Sequence, residues 1–247
     1  RGQAVGRDPA RGYVPVTELL TIVMWLWDDP ERPCRWGKPY SVMDVDRVAR
    51  QVHRNLRIPH RFVCFTDHPF APCTAASGGV PVDLRRIWPC PVGDRGRPEQ
   101  GQCWRRLRAF SPDMLPILGP RFVSIDLDCV VVGDLTPLFN QPDADLVMWA
   151  NQAAPGTPYN GSMWLHRTGS LPIIWQSFDP ATSPQTCIEH GFIGSDQAWI
   201  SYVMGPDLPK WTMADGVHHY GKHCQGHLPA NARIVFAPGS EKIPAER

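Results

Sequence analysis

The sequence predicts an α/β fold with a central, mostly parallel sheet flanked by helices, and three observations carry that expectation. The first is the near-continuous apolar run LLTIVMWLW at residues 19–27. A strand covered on both faces reads this way, whereas a half-solvated strand alternates. The second is the alternation of strand and helix patterns that follows. The third is a strand at residues 122–128, FVSIDLD, that ends in acid. Ligands of open parallel sheets gather beyond the carboxyl ends of the strands.

The elements follow in order. A loop with Pro30, Pro33 and Pro39 leaves the first strand. Asp44 is then placed to cap a helix whose apolar residues Val45, Val48, Ala49, Val52 and Leu56 recur at helical spacing. Residues 61–66, RFVCFT, form a second strand, and residues 80–84 a third. A loop rich in glycine, proline and charge, 89–102, leads into a helical stretch, 104–118, that Pro112 and Pro116 interrupt. Beyond the acid-ended strand come two short strands, 145–149 and 162–166, then a helix over 195–204 that starts near Ser195 or Asp196. Residues 232–236, ARIVF, form the last strand. Nothing repeats and no block is of low complexity. Residues 17–247 are therefore expected to form a single domain behind a flexible, polar segment at 1–16.

Composition narrows the function classes. The 247 residues are 43% hydrophobic and 20% charged with a formal net charge of +1, so no strong field draws nucleic acid or a membrane surface. No stretch reaches the roughly 18 apolar residues of a membrane span. The 27 prolines point to long ordered loops. Eight cysteines form no CxxC pair and no regular spacing. They read as reduced, mostly buried thiols, and a cytoplasmic location is the expectation.

The chemistry centres on Asp126 and Asp128. Residues two apart in extended chain project to one face, so the carboxylates point together while Leu127 turns into the core. Two carboxylates at the end of a buried strand repel and are costly to desolvate unless a cation lies between them. A hard divalent ion, Mn²⁺ or Mg²⁺, accepts carboxylate and phosphate oxygens together. Acid at a strand end also occurs as an ordinary exit into a turn, so the neighbouring residues decide.

Those neighbours carry a resemblance. Residues 125–139, IDLDCVVVGDLTPLF, resemble the signature of glycosyltransferase family 8, an acidic pair followed by an apolar strand and (D/E)LxxLF. Tyr159-Asn160-Gly161-Ser162 is similar to the family's sugar-pocket element, and Gly194-Ser195-Asp196-Gln197 to its DQ element beside the reacting sugar. Gly239-Ser240-Glu241-Lys242 resembles the terminal GxxKP, whose lysine contacts the diphosphate. The match runs from about residue 19 to 244, nearly the whole chain.

The resemblance implies a GT-A (Rossmann-like) domain of bacterial or phage type. The implied reaction is retaining, metal-dependent transfer of a hexose from a nucleotide sugar, a UDP-sugar, to an acceptor hydroxyl. It implies Asp126 and Asp128 as ligands of Mn²⁺ or Mg²⁺, with Asp196 and Gln197 nearest the reacting carbon. Asn160, Gly161, Ser162 and Lys242 become donor-binding residues. Arg105 or Arg106 should reach the donor sugar or a phosphate, for which an arginine fork is suited. Trp25 and Trp27 end the first strand, and Thr66 and Asp67 the second, where topology places the base and ribose.

The chain also departs from the family. Where the third metal ligand, a histidine, is expected three positions before the terminal glycine, this sequence has Phe236. The cluster His218, His219, His223, Cys224 and His227 offers a replacement ligand or a lining for the acceptor cleft, but reads first as an exposed loop. The acceptor is open between a glycan, a lipid-linked saccharide, a protein side chain and, for a phage-type enzyme, a hydroxymethylated DNA base. The missing histidine motivates a second class, a decayed GT-A fold that binds without catalysing.

Overall fold

The computed structural model describes residues 19–27, 40–67, 81–86, 88, 103–152, 154 and 156–237. Strand β1 (Leu20–Leu26) is buried along its whole length. It lies between two parallel neighbours, β2 (His60–Thr66) and β4 (Arg121–Ile125). Leu20, Ile22, Met24 and Leu26 face one hydrophobic core, while Val23 and Trp25 face another. Cover on both faces is why the segment carries no polar alternation.

Helix α1 (Val42–Asn55) packs Val45, Val48, Ala49 and Val52 into the first core. Its N-cap is Ser41 rather than Asp44. Asp44 sits three residues in, and its carboxylate accepts from the Ser41 backbone N–H at 2.8 Å. Asp44 thus fills the acidic position of a capping box, a role the same spacing allows. Strand β3 (Val82–Arg86) lies two residues later than expected, at the sheet edge. The helical stretch at 104–118 divides into 3-10 turns at Cys103–Phe110 and Pro112–Met114, followed by α2 (Leu115–Leu118). Pro112 and Pro116 lack the N–H an unbroken α-helix would need.

The remaining elements are β5 (Cys129–Val131), α3 (Thr136–Phe139), β6 (Leu146–Ala150), β7 (Tyr159–Arg167), α4 (Ile173–Gln176) and α5 (Ser183–Glu189). After these come α6 (Asp196–Met204), β8 (Lys210–Trp211), β9 (Val217–His219), α7 (Tyr220–His223) and β10 (Ile234–Phe236). The large sheet has the order β3-β2-β1-β4-β7-β6-β8. All its pairings are parallel except those of β7, which runs against β4 and β6. Strand order reverses between β1 and β4, and the crevice beyond their carboxyl ends is the ligand position of such sheets.

A second, three-stranded sheet has the order β5-β10-β9 and carries the chain directly after the acidic pair. Among the described cysteines, Cys64, Cys129, Cys187 and Cys224 are buried thiols and Cys103 a partly exposed one. No described helix is long and apolar enough to cross a membrane.

Candidate active site

The site begins where β4 ends. Asp126 leaves the sheet, and its backbone N–H donates to the Ser162 carbonyl at 2.9 Å, tying the acid to β7. Arg106 comes from the first 3-10 turn and is only 3% exposed. One of its arms donates to Asp126. Its other groups meet Asp196, the first residue of α6, with Nε 2.9 Å from Oδ2 and Nη2 donating to Oδ1 at 3.1 Å. Burial works against the Arg106 charge, but Asp126 and Asp196 outweigh it and hold its pKa well above the ordinary arginine value. Burial raises the Asp196 carboxyl, with Arg106 pulling the other way.

Gly161 completes this corner. A Cβ there would lie 2.8 Å from Arg106 Nη2 and 2.9 Å from Asp196 Oδ1, so no side chain fits. Its N–H donates to Gln197 Oε1 at 3.0 Å, and Asn160 Oδ1 accepts from Ser162 N–H at 2.8 Å. The fold thereby brings together Asp126, Arg106, Asp196, Gln197 and the 160–162 segment. Cys103 also sits here; burial pushes its thiol up to about 12, so it stays protonated.

Asp128 meets different surroundings. Its Oδ1 is enclosed with no hydrogen-bond partner among the described residues. Burial, and then the neighbouring Asp126 charge, push its carboxyl up to about 7. An enclosed carboxylate oxygen without a donor, beside a second carboxylate, is the oxygen donor set a hard divalent ion takes. Such ions commonly use one or two protein carboxylates and complete their shell with water and substrate phosphate. The pair therefore fits a divalent cation. Among the described residues, no three His, Cys, Asp or Glu side chains converge as a closed site.

The other candidates divide. Trp25 is enclosed in the core, its indole N–H donating to Ser124 Oγ at 2.8 Å and its ring stacked on Phe65 at 4.8 Å. That packing gives Trp25 a structural place instead of a base-stacking one. Trp27 is partly exposed, and the Arg105 guanidinium lies 5.4 Å from its ring centroid. Thus Arg105 and Arg106, adjacent in sequence, meet different partners: Trp27 for the first, Asp126 and Asp196 for the second. Thr66 is buried at the end of β2 and Asp67 exposed beyond it. Lys242 lies outside the described residues, as do residues 1–18 and Cys34, Cys73 and Cys90.

The histidine cluster is not the exposed loop its polarity suggests. His218 and His219 form β9 and are 3% and 7% exposed, because β9 pairs with β10. His218 Nε2 lies 3.2 Å from Asn231 Oδ1, and the His219 backbone N–H donates to His223 Nδ1 at 3.0 Å. Cys224 is buried and His227 exposed. Phe236 is buried and stacks on Trp149 at 4.8 Å. His219 stands beside it in strand register.

No family model and no curated protein sequence matches the chain. Solved structures do. The galactosyltransferase LgtC, in complex with donor and acceptor sugar analogues, superimposes with a TM-score of 0.58 at 15% identity, covering 90% of this chain and 88% of LgtC. Mouse xyloside xylosyltransferase 1 gives 0.55 at 14% identity, covering 91% of this chain and 99% of that one. The Streptococcus pneumoniae glycosyltransferase GlyE gives 0.52 at 13% identity, covering 91% and 56%. The chain adopts the GT-A fold that these glycosyltransferases share.

Proposed function

We propose that the protein is a retaining, divalent-metal-dependent glycosyltransferase that moves a hexose from a UDP-sugar to an acceptor hydroxyl in the cytoplasm. The observation that carries this is the unpartnered Asp128 oxygen beside Asp126, set in the crevice where the sheet order reverses. A divalent cation held by Asp126 and Asp128 would take up the charge of the departing diphosphate.

The chain's own residues do the positioning. Arg106 fixes Asp126 and Asp196 relative to one another, and the bare Gly161 lets these groups approach the backbone of the sugar pocket. Gln197 is held by the Gly161 N–H, so its place beside the pocket is set before substrate arrives. Arg105, laid over Trp27, offers a guanidinium to donor phosphate. Both Asp196 oxygens lie against Arg106, which favours same-face attack by the acceptor over a covalent intermediate on Asp196. The LgtC complex with an acceptor sugar analogue supports a saccharide as acceptor.

A screen of nucleotide sugars for Mn²⁺-stimulated hydrolysis tests the proposal. A UDP-hexose should be cleaved, and Asp126→Ala or Asp128→Ala should lower the rate by roughly 10²–10³-fold. Cleavage of no nucleotide sugar with any divalent ion would refute it. Phe236, buried where the resemblance implies a histidine ligand, supports a second reading, a fold that binds without catalysing. Such a protein would give no Mn²⁺-dependent heat when titrated with UDP.

A further inference from the structure

One face of α1 borders the acidic pair without supplying a ligand. Arg47, Gln51 and Asn55 recur every four residues, so they share that face. It covers β5, the edge strand of the small sheet, whose free side would otherwise present unpaired N–H and C=O groups. Arg47 Nη2 donates to the Leu127 carbonyl and Nη1 to the Cys129 carbonyl, each at 2.7 Å. Gln51 Oε1 accepts from Val131 N–H at 3.1 Å, and the Asn55 carbonyl from Leu135 N–H at 2.8 Å.

The Arg47 bonds differ from the other two in where they fall. Leu127 and Cys129 flank Asp128 at the bend between β4 and β5, so the two arms of one guanidinium hold the backbone on either side of it. The Asp128 carbonyl accepts from Ala237 N–H at 2.9 Å. Three consecutive peptide groups around Asp128 are therefore held, two by one guanidinium and one by the chain after β10. With those planes fixed, the Cα–Cβ bond of Asp128 has one direction. Asp44 lies 3.9 Å from the Arg47 guanidinium, so among the described residues its close contacts are the two carbonyls. A fork with two separate N–H arms spans carbonyls two residues apart; the point charge of lysine does not.

We infer that Arg47 is a positioning residue of the metal site, a two-armed clamp on the backbone either side of Asp128. The inference rests on Asp126 and Asp128 holding the cation, as proposed above. Gln51 is the internal control, because it stitches the same helix to the same strand but beyond the acidic pair.

The experiment measures Mn²⁺ affinity in the presence of UDP, by electron paramagnetic resonance of free Mn²⁺, alongside metal-free melting. Wild type, Arg47→Lys, Arg47→Ala and Gln51→Ala are compared. Gln51→Ala should melt a few degrees low and keep its Mn²⁺ Kd within about twofold. Arg47→Lys should melt no lower than Gln51→Ala yet bind Mn²⁺ roughly tenfold more weakly, with Arg47→Ala weaker still. Wild-type affinity in both Arg47 variants would overturn the inference alone. So would an affinity loss that follows melting temperature across all three variants. A wild-type protein that binds no Mn²⁺ with UDP would overturn the metal reading itself, and this inference with it.

Discussion

The corner around Asp126 is closed by the protein's own charge, while the corner around Asp128, two residues on, is left open. At Asp126 a 3% exposed arginine joins it to the buried Asp196, and Gly161 admits Arg106 and Asp196 to the backbone. At Asp128 the adjacent arginine, Arg47, is turned to carbonyls, and one carboxylate oxygen has no donor among the described residues. The difference assigns separate tasks to two chemically identical side chains. The Asp126 corner is a framework already paired by the protein's own groups, and the Asp128 corner is where, on the proposed reading, an external cation would gain most.

The largest expected effect comes from opening the closed corner. Arg106→Met would leave Asp126 and the 2% exposed Asp196 without their counter-charge. Stranding a buried carboxylate in this way costs about 3–5 kcal/mol, read by denaturant unfolding. A loss under about 1 kcal/mol would show that the two acids are compensated elsewhere, and the contrast between corners would fail.

A smaller effect follows from crowding the same corner. Gly161→Ala sets a methyl group 2.8 Å from Arg106 Nη2, so the ion pair must shift. The expected cost is about 1–3 kcal/mol, with transferase activity falling alongside. An alanine variant as stable and active as the wild type would mean the corner is loosely packed.

The smallest effect sharpens the open corner. The Asp128 carboxyl titrates near 7, against an ordinary value of 3.8. Between about pH 4 and 7 the folded protein therefore binds more protons than the unfolded chain at Asp128, while the buried His166, pushed down to about 4, works the other way up to about pH 6.5. The Asp128 contribution to metal-free stability should fall as pH rises through that window. Thermal melts at pH 5 and pH 8 check this: relative to the wild type, Asp128→Asn should gain stability from pH 5 to pH 8. Saturating Mn²⁺ with UDP should restore stability most at the alkaline end, where no proton competes. An unchanged pH slope in Asp128→Asn would place the titration elsewhere.

Legibility in the sequence followed the range of the forces involved. The buried run 19–27 and the helix with apolar residues at 45, 48, 49 and 52 carry local periodicity and became elements near their expected places, whereas the strand expected at 122–128 stops at Ile125 and leaves both aspartates beyond it. The last strand expected from sequence, 232–236, became β10, but that it joins a separate small sheet did not show, because the pairings link Cys129 to Phe236 and Phe236 to His219. Strand β9, with two histidines in three residues, carried no local strand pattern of its own. For the same reason His218 and His219 looked like surface residues, whereas pairing with β10 buries them.

Within the site, the acidic pair and the glycine and DQ segments were visible as residue types at known spacing. Which of two adjacent arginines turns inward was not visible, since Arg105 and Arg106 differ only in the direction their backbone gives them. Arg47 was hidden more deeply. Its partners are main-chain carbonyls on Leu127 and Cys129, and carbonyls carry no side-chain signature.

The most direct test of the central claim is a crystal soaked with Mn²⁺ and a uridine sugar nucleotide, examined for anomalous scattering. The account predicts a manganese peak bridging the carboxylates of Asp126 and Asp128, with diphosphate oxygens completing its shell. A bound nucleotide with no metal between those residues, or a manganese ion held elsewhere in the chain, would contradict it.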